Sequence, residues 1–352
     1  MTGRLRIDHV IPTSGIGGVE VAAATAANRN DLECDVRLVF VSEARRKTGV
    51  LTRWLPSALR TLLATIAQLR RDPPDVLLAS LWKAVPVLVA LRLRHVRPQL
   101  VFFLHSAREW HIADRVFSRL GIYLADEVWA DSAATLAARA VPAGKPSRVV
   151  SFVTDQLDAP VLRDVDARFV SWGRLHTAKA YDRAIRFIAL LVEGGIDAQF
   201  DLFGPDAGEG EPLRALVSTI GLEDRVRFRG AVDRSDLVKA AAGQAFFLQT
   251  SRSEGMCMAA VEAMQLGLVP VATAVGEMAR YVRPGETGIV LDPERPEIAA
   301  ARVADLLGDP TGYRRLSAAA RDYWRAEPSY AQDLCRAARE AIRDDRHRHR
   351  PV

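Results

Sequence analysis

Only three cysteines, at positions 34, 257 and 335, occur in the 352-residue sequence. They are odd in number and far apart, which argues against a metal knuckle and a disulfide framework and predicts a reducing, cytosolic setting. A long apolar run is also missing. The most hydrophobic stretch, Val85 to Leu93, is broken by Pro86 and Arg92 and is far too short to span a bilayer. Arg4-Leu5-Arg6-Ile7 leads straight into a strand pattern, with no secretory leader. The basic residues are dispersed and no nucleic-acid motif occurs, which sets nucleic acid aside as a partner. What is present is the composition of a globular protein, 49% hydrophobic and 26% charged, in a chain long enough for two domains. The charge is uneven: residues 1–160 hold 21 Lys and Arg against 15 Asp and Glu, while the remainder is at −1. A basic first half suits an anionic partner such as a membrane surface or an acidic substrate.

Residues 5–11 alternate as a first strand does. The stretch Pro12 to Glu20 follows, with Gly15, Gly17 and Gly18, and leads into an Ala-rich helix. A strand, a glycine loop and a helix make a phosphate-binding opening, but Glu20 stands where a dinucleotide fingerprint needs its third glycine. The loop therefore reads equally as a tight turn. Val36 to Val41 is a second strand, trailed by Arg45-Arg46-Lys47. Over 51–70, apolar residues recur at helical spacing among Arg53, Arg60 and Arg70. That pattern fits a helix covering a sheet, or an interfacial helix on anionic lipid. Further strands are expected at 75–80, 100–104, 127–130 and 149–153, with a helix at 84–94. His105 ends one of these strands. Ligands of open parallel sheets bind beyond the carboxyl ends of strands, so His105 is placed for chemistry or for a structural hydrogen bond.

The polar segment up to Ala167, with Pro160 and the Asp164-Val165-Asp166 pair, reads as a linker. Lying there, the Asp-x-Asp suits a solvated pair better than a metal site. A second strand and helix series begins at Arg168. Its first strand leads into Gly173-Arg174-Leu175 and Lys179, a guanidinium and an ammonium that suit a diphosphate. Gly204 and Arg229-Gly230 close two further strands. The apolar run Ala245 to Leu248 precedes Ser251-Arg252-Ser253-Glu254-Gly255-Met256-Cys257-Met258, and then a helix carrying Glu262 and stopping at Gly267. The entrance of that helix offers unpaired N–H groups to a phosphate. Two repeated strand and helix series imply an α/β chain of two doubly wound domains.

At these residues the chain resembles the retaining, nucleotide-sugar-dependent glycosyltransferases of family 4, which have the GT-B fold. The likeness rests on Gly173-Arg174-Leu175 with Lys179, Phe228-Arg229-Gly230, Ser251 to Gly255, Val261-Glu262-Ala263-Met264 and Gly285-Glu286-Thr287-Gly288. The resemblance implies two Rossmann-like domains facing a central cleft. Residues 1–156 would bind the acceptor, 157–167 form the linker, 168–310 bind the nucleotide sugar, 311–344 supply C-terminal helices, the last crossing back, and 345–352 form a tail. It implies transfer of a sugar from a UDP- or GDP-type donor to a hydroxyl of a glycan or lipid-linked acceptor, in polysaccharide or glycoconjugate synthesis. No metal and no cofactor beyond the nucleotide sugar are expected. A cytoplasmic location with peripheral contact to an anionic membrane is implied.

The same likeness assigns roles. Arg174 and Lys179 neutralise the departing diphosphate, helped by backbone N–H groups of Met256, Cys257 and Met258. Glu262 takes the ribose hydroxyls, Glu254 faces the donor sugar, and His105 contacts that sugar. Gly204, Arg229 and Gly230 line the base pocket, and Gly17, Gly18 and Gly255 are counted among the nucleotide-sugar-binding residues. Front-face attack and a covalent intermediate stay open. An epimerase, a phosphorylase or a non-catalytic nucleotide-sugar-binding relative are the alternatives. Ala180 replaces the glycine usual after the lysine, and the loop after Thr273 departs from the pattern, so no sugar contact is carried to it.

Overall fold

The apolar runs are four to seven residues long and separated by amphipathic stretches, so the central strands are buried on both faces by helices. A computed structural model describes residues 4–12, 18–29, 31–41, 54–93, 98–109, 111–154, 156–157 and 165–348. The chain divides into two compact units, residues 1–155 with 328–352, and residues 156–327.

The first unit contains β1 (Leu5–Ile11), α1 (Gly18–Ala27), β2 (Cys34–Phe40), α2 (Trp54–Arg71), β3 (Val76–Ser80), α3 (Val85–Arg92), β4 (Gln99–Leu104), α4 (Ile112–Leu124), β5 (Glu127–Ala130), α5 (Ala133–Ala138) and β6 (Ser147–Val149). The strands form one parallel sheet in the order β2-β1-β3-β4-β5-β6. β3 and β4 are buried at every residue. Right-handed crossovers put α2, α3 and α4 on one face of this sheet and α1 on the other. α2 packs on α3 and α3 on α4. The last strand is shorter than the 149–153 run suggests, because Val150 to Thr154, buried except at Ser151, does not continue the ladder.

The second unit contains β7 (Arg168–Trp172), α6 (Tyr181–Glu193), β8 (Gln199–Phe203), α7 (Gly210–Thr219), β9 (Val226–Gly230), α8 (Leu237–Ala241), β10 (Phe246–Gln249), α9 (Met258–Gln265), β11 (Val269–Ala272), α10 (Met278–Tyr281), β12 (Ile289–Val290), α11 (Pro296–Gly308) and α12 (Pro310–Arg325). Its parallel sheet runs β9-β8-β7-β10-β11-β12. Counted within the unit, that is the 3-2-1-4-5-6 order of dinucleotide-binding sheets. α6 buries Tyr181, Ala184, Ile185, Ile188 and Leu191, the three- and four-residue spacing of a helix stripe. They pack on Phe169, Phe200 and Phe246 of the strands.

The final helix, α13 (Tyr330–Arg348), belongs to the first unit and packs on α1. It runs into the tail that the sequence reading left outside a helix, since no Pro or Gly interrupts it before Pro351. α13 also corrects the cysteine reading. Cys335 lies on it, Cys34 begins β2, and their Cα atoms are 5.8 Å apart across a disulfide that links residues 301 positions apart. Sequence distance concealed the pair because the chain returns to its first unit only at its end. The inference from cysteine spacing to a reducing compartment falls with it. Among the described residues no helix is long and apolar enough to cross a membrane.

Candidate functional site

In the second sheet β7 and β10 are neighbours, and the chain leaves them in opposite directions. A crevice opens at such a switch point, beyond the carboxyl ends of the strands. After β7 comes Gly173-Arg174-Leu175 and a 3-10 turn over Thr177–Lys179. His176 caps this turn, its Nδ1 accepting from the Ala178 N–H at 3.2 Å. After β10 comes Thr250 to Cys257. The two loops are stitched together. The Arg252 N–H donates to the Ala178 carbonyl at 2.8 Å, its guanidinium to the Thr177 carbonyl at 2.7 Å, and the Thr250 hydroxyl to the Ala180 carbonyl at 2.8 Å.

The stitching brings Lys179 to Glu254. Lys179 Nζ donates to Glu254 Oε1 at 2.7 Å, and Ser251 Oγ donates to the same oxygen at 2.6 Å. Burial opposes the Lys179 charge, but the adjacent carboxylate outweighs it and holds the ammonium above its ordinary pKa. Glu254 Oε2 has no hydrogen-bond partner among the described residues. Arg174 is exposed and forms no ion pair among them.

The loop after β11, which the sequence reading left without a role, clamps this carboxylate's backbone. A Cβ on Gly276 would lie 2.3 Å from the Glu254 carbonyl oxygen, and the Glu277 N–H donates to the Gly255 carbonyl at 2.9 Å. At the start of α9 the N–H groups of Met256, Cys257, Met258 and Ala259 make no hydrogen bond among the described residues. These donors and the helix dipole form an anion seat. The Tyr281 hydroxyl fixes it by donating to the Met256 carbonyl at 2.8 Å. The Met256 and Cys257 side chains are buried behind the loop, and burial pushes the Cys257 thiol up to about 12.

Glu262 is buried two turns along α9. Its Oε2 accepts from Trp172 Nε1 at 3.0 Å and its Oε1 from Arg234 Nη1 at 2.5 Å. Sequence reasoning missed both partners. Trp172 ends β7 just before Gly173, the one signal that pointed to it. Arg234 lies in a 3-10 turn with nothing in its spacing to mark it. Gly204 and Gly230 come to the same end of the sheet. The Gly204 N–H donates to the Gly230 carbonyl at 2.7 Å, and a Cβ on Gly204 would lie 1.8 Å from the Gly173 carbonyl oxygen. The Arg229 guanidinium is engaged elsewhere, donating to Asp201 at 3.0 and 3.3 Å.

The first unit has a separate constellation. His9 Nε2 lies 2.8 Å from Ser80 Oγ, Ser80 Oγ lies 2.9 Å from His105 Nε2, and the Tyr330 hydroxyl lies 3.4 Å from His9 Nδ1. Burial holds the Tyr330 hydroxyl protonated and lowers the His9 pKa to about 3. Burial, and His9 after it, lower that of His105. The chain is thus neutral, and its distances fit either order of protons, running from Tyr330 toward His105 or back. The buried His105 Nδ1 has no partner among the described residues. His105 lines a cavity of about 380 Å³ with Trp82, Lys83, Arg108 and His111. Gly18 begins α1, and Gly17 lies outside the described residues, as does the basic cluster at 45–47.

Residues 154–323 match the family described as glycosyl transferases group 1. The second unit is a group 1 glycosyltransferase domain. The GDP-mannose:cellobiosyl-diphosphopolyprenol alpha-mannosyltransferase of Komagataeibacter xylinus is 27% identical over 191 residues, 51% of this chain and 49% of that protein. The D-inositol 3-phosphate glycosyltransferase of Mycolicibacterium vanbaalenii is 32% identical over 163 residues, 43% of this chain and 36% of its own length. The matches thus cover less than half the length of these curated relatives. Among solved structures, sucrose-phosphate synthase from Thermosynechococcus elongatus superposes with a TM-score of 0.75 at 20% identity, over 97% of this chain and 100% of its own. Anabaena HepE in complex with UDP and glucose gives 0.73 at 19%, over 98% and 100%. These likenesses establish the GT-B fold around the group 1 glycosyltransferase domain.

Proposed function

We propose that the chain is a retaining glycosyltransferase that moves a sugar from a nucleoside-diphosphate sugar to a hydroxyl of a glycan or lipid-linked acceptor. The observation that carries this reading is the Lys179–Glu254 pair set beside the unpaired N–H groups of α9 at the switch point of the second sheet. Breaking the glycosidic bond leaves negative charge on the diphosphate and positive charge on the sugar ring. Lys179, Arg174 and the α9 donors take up the first, which needs no divalent ion. Glu254 Oε2 takes a sugar hydroxyl or lies against the charged ring. Glu262, fixed by Trp172 and Arg234, is the ribose acceptor, and the main chain at Gly204 and Gly230 receives the base. His105, in the first unit, is read as a contact of the donor sugar. The acceptor in the name of the Komagataeibacter relative, cellobiosyl-diphosphopolyprenol, supports a lipid-linked acceptor.

Calorimetry with UDP, GDP and ADP, with and without their sugars, tests the donor site. One diphosphate binding in the micromolar range without added metal, followed by nucleotide release only when an acceptor alcohol is present, is the expected result. Turnover without acceptor would mark an epimerase, and phosphate dependence a phosphorylase. Absence of binding by every diphosphate removes the reading.

A further inference from the structure

β10 is apolar at Phe246, Phe247 and Leu248 and ends in Gln249, which is fully buried with them. A glutamine has no packing advantage over leucine there, and its amide needs partners. Only half of it finds them. One end of the amide lies 2.6 Å from Ser251 Oγ and 3.4 Å from Glu254 Oε1. That end is the NH2 group, because a carboxylate only accepts and the opposite orientation would set two acceptor oxygens against each other. The amide oxygen therefore faces away from the pair, buried and without a partner among the described residues. The backbone that aims this side chain is fixed. The Thr273 N–H donates to the Gln249 carbonyl at 3.0 Å, and the Thr273 hydroxyl to the Ser251 carbonyl at 2.8 Å. A buried oxygen left unsatisfied lowers stability, and this one belongs to a side chain that reaches the Lys179–Glu254 pair.

We propose that Gln249 is a positioning residue that aims Glu254 through Ser251. The Ser251 hydroxyl has one proton and is free to rotate about its C–O bond. With the Gln249 N–H on a lone pair of its oxygen, that proton is directed to Glu254 Oε1, 2.6 Å away. Lys179 donates to the same oxygen at 2.7 Å. Both short bonds thus fall on Oε1 and leave Oε2 for the ligand. Without Gln249 the hydroxyl turns to another acceptor, and the carboxylate rotates about its last torsion under Lys179 alone, so that either oxygen can meet the sugar. This role rests on the reading of Glu254 as the group that faces the donor sugar.

Gln249→Leu, Ser251→Ala and the double variant are compared with the unaltered protein by steady-state kinetics, calorimetry and thermal melting. Gln249→Leu is expected to lower kcat about tenfold, with KM for the donor and affinity for the nucleoside diphosphate kept within about two-fold. It removes the unsatisfied oxygen, so its melting temperature holds or rises by up to about 4 °C. A glutamine that served only the fold would show the reverse, a lower melting temperature with weaker nucleotide binding. Because Gln249 acts through Ser251, the double variant loses no more turnover than Ser251→Ala alone. Unchanged kcat in Gln249→Leu overturns the inference. So does a fall in melting temperature with parallel loss of nucleotide affinity, or a double variant whose two losses multiply. If the unaltered protein binds a nucleotide sugar without turning it over, the catalytic reading falls and affinity decides: Gln249→Leu must weaken the nucleotide sugar and spare the nucleoside diphosphate, and equal effects on both overturn the role. If it binds no nucleotide at all, the donor-site reading falls and the melting temperatures decide: non-additive shifts of the two single variants keep the Gln249–Ser251 link, and additive ones overturn it.

Discussion

At the carboxyl end of the first sheet the gathered side chains are His9, Ser80 and His105, joined by neutral hydrogen bonds. At the corresponding end of the second sheet they are Lys179 with Glu254 and Arg234 with Glu262, joined as ion pairs. His9, Ser80 and Glu262 are buried and the others half-buried, and burial has different consequences for each kind of group. A histidine in an apolar wall gives up its proton, and what remains is a neutral imidazole. A lysine beside a carboxylate keeps its proton, and with unpaired N–H groups nearby it is suited to an anion. The same layered architecture thus carries two electrostatic designs, one neutral and one charged.

The comparison breaks most directly at Lys179. Lys179→Ala removes the one ammonium paired with Glu254 and is expected to lower turnover about 10²- to 10³-fold. His105→Ala, which removes a single neutral imidazole, lowers it about tenfold. Steady-state rates with a fixed acceptor measure both, and equal losses would deny the division between the two ends.

Acid tests the other side. His9 has its pKa lowered to about 3 by burial, against about 6.5 in an unfolded chain. The unfolded state therefore binds the proton more tightly. The stability this histidine contributes is whole above pH 6.5 and is lost as pH falls toward 3, at roughly 1.4 kcal/mol per pH unit. Lys179 has the opposite sign. Its pKa is raised, so its contribution is whole below about 10.5 and is lost only above that. As pH falls from 6.5 to 5 the His9 contribution declines, so β1 and β3 should lose hydrogen-exchange protection before β7 and β10 do. Earlier loss in the second unit would contradict the assignment of neutral and charged cores.

Glu262→Ala is a smaller change to the same contrast. It removes a proposed ribose acceptor and takes one partner each from Arg234 and the Trp172 indole. Weakening of nucleoside diphosphate binding by roughly ten- to a hundredfold is expected, against a smaller change for the nucleoside-free sugar diphosphate. Calorimetry that shows unchanged nucleotide affinity would take Glu262 out of the donor site.

The two ends also differed in how far the sequence disclosed them. Arg174, Lys179, Glu254 and Glu262 follow strands within a few residues to two helical turns, so strand-then-loop patterning put them at one sheet end before any coordinates. The family match covers that stretch too, residues 154–323. His9 sits in the middle of a strand, 71 residues from Ser80, and only the pairing of β1 with β3 brings them together. Cys34 and Cys335 were hidden for the same reason, across 301 residues. Arg234 and the clamp at Gly276 were invisible because their contact with the site depends on how loops fold back. Contacts made through sheet order are legible once the order is inferred, whereas contacts made by loops are not.

Backbone conformation supplies the finest comparison, because there the two units agree. Among the described residues three that are not glycine have positive φ: Leu81, Ala180 and Cys257. Leu81 follows Ser80, Ala180 follows Lys179, and Cys257 opens α9, so every one adjoins a site group. Strain of this kind persists where surrounding contacts over-determine it. Ala180 is the clearest case, with φ of 50°, its N–H on the Thr177 carbonyl and its own carbonyl on the Thr250 hydroxyl. A glycine makes both bonds without the Cβ penalty of about 1–2 kcal/mol, less about 0.5–1 kcal/mol of backbone entropy. Ala180→Gly should therefore raise the melting temperature by about 1–3 °C. The same change frees the turn that aims Lys179, so turnover should fall a few-fold while nucleotide affinity holds. A variant that melts higher with unchanged turnover would show that the lysine is aimed by the Glu254 pair alone and that the strain beside it is incidental.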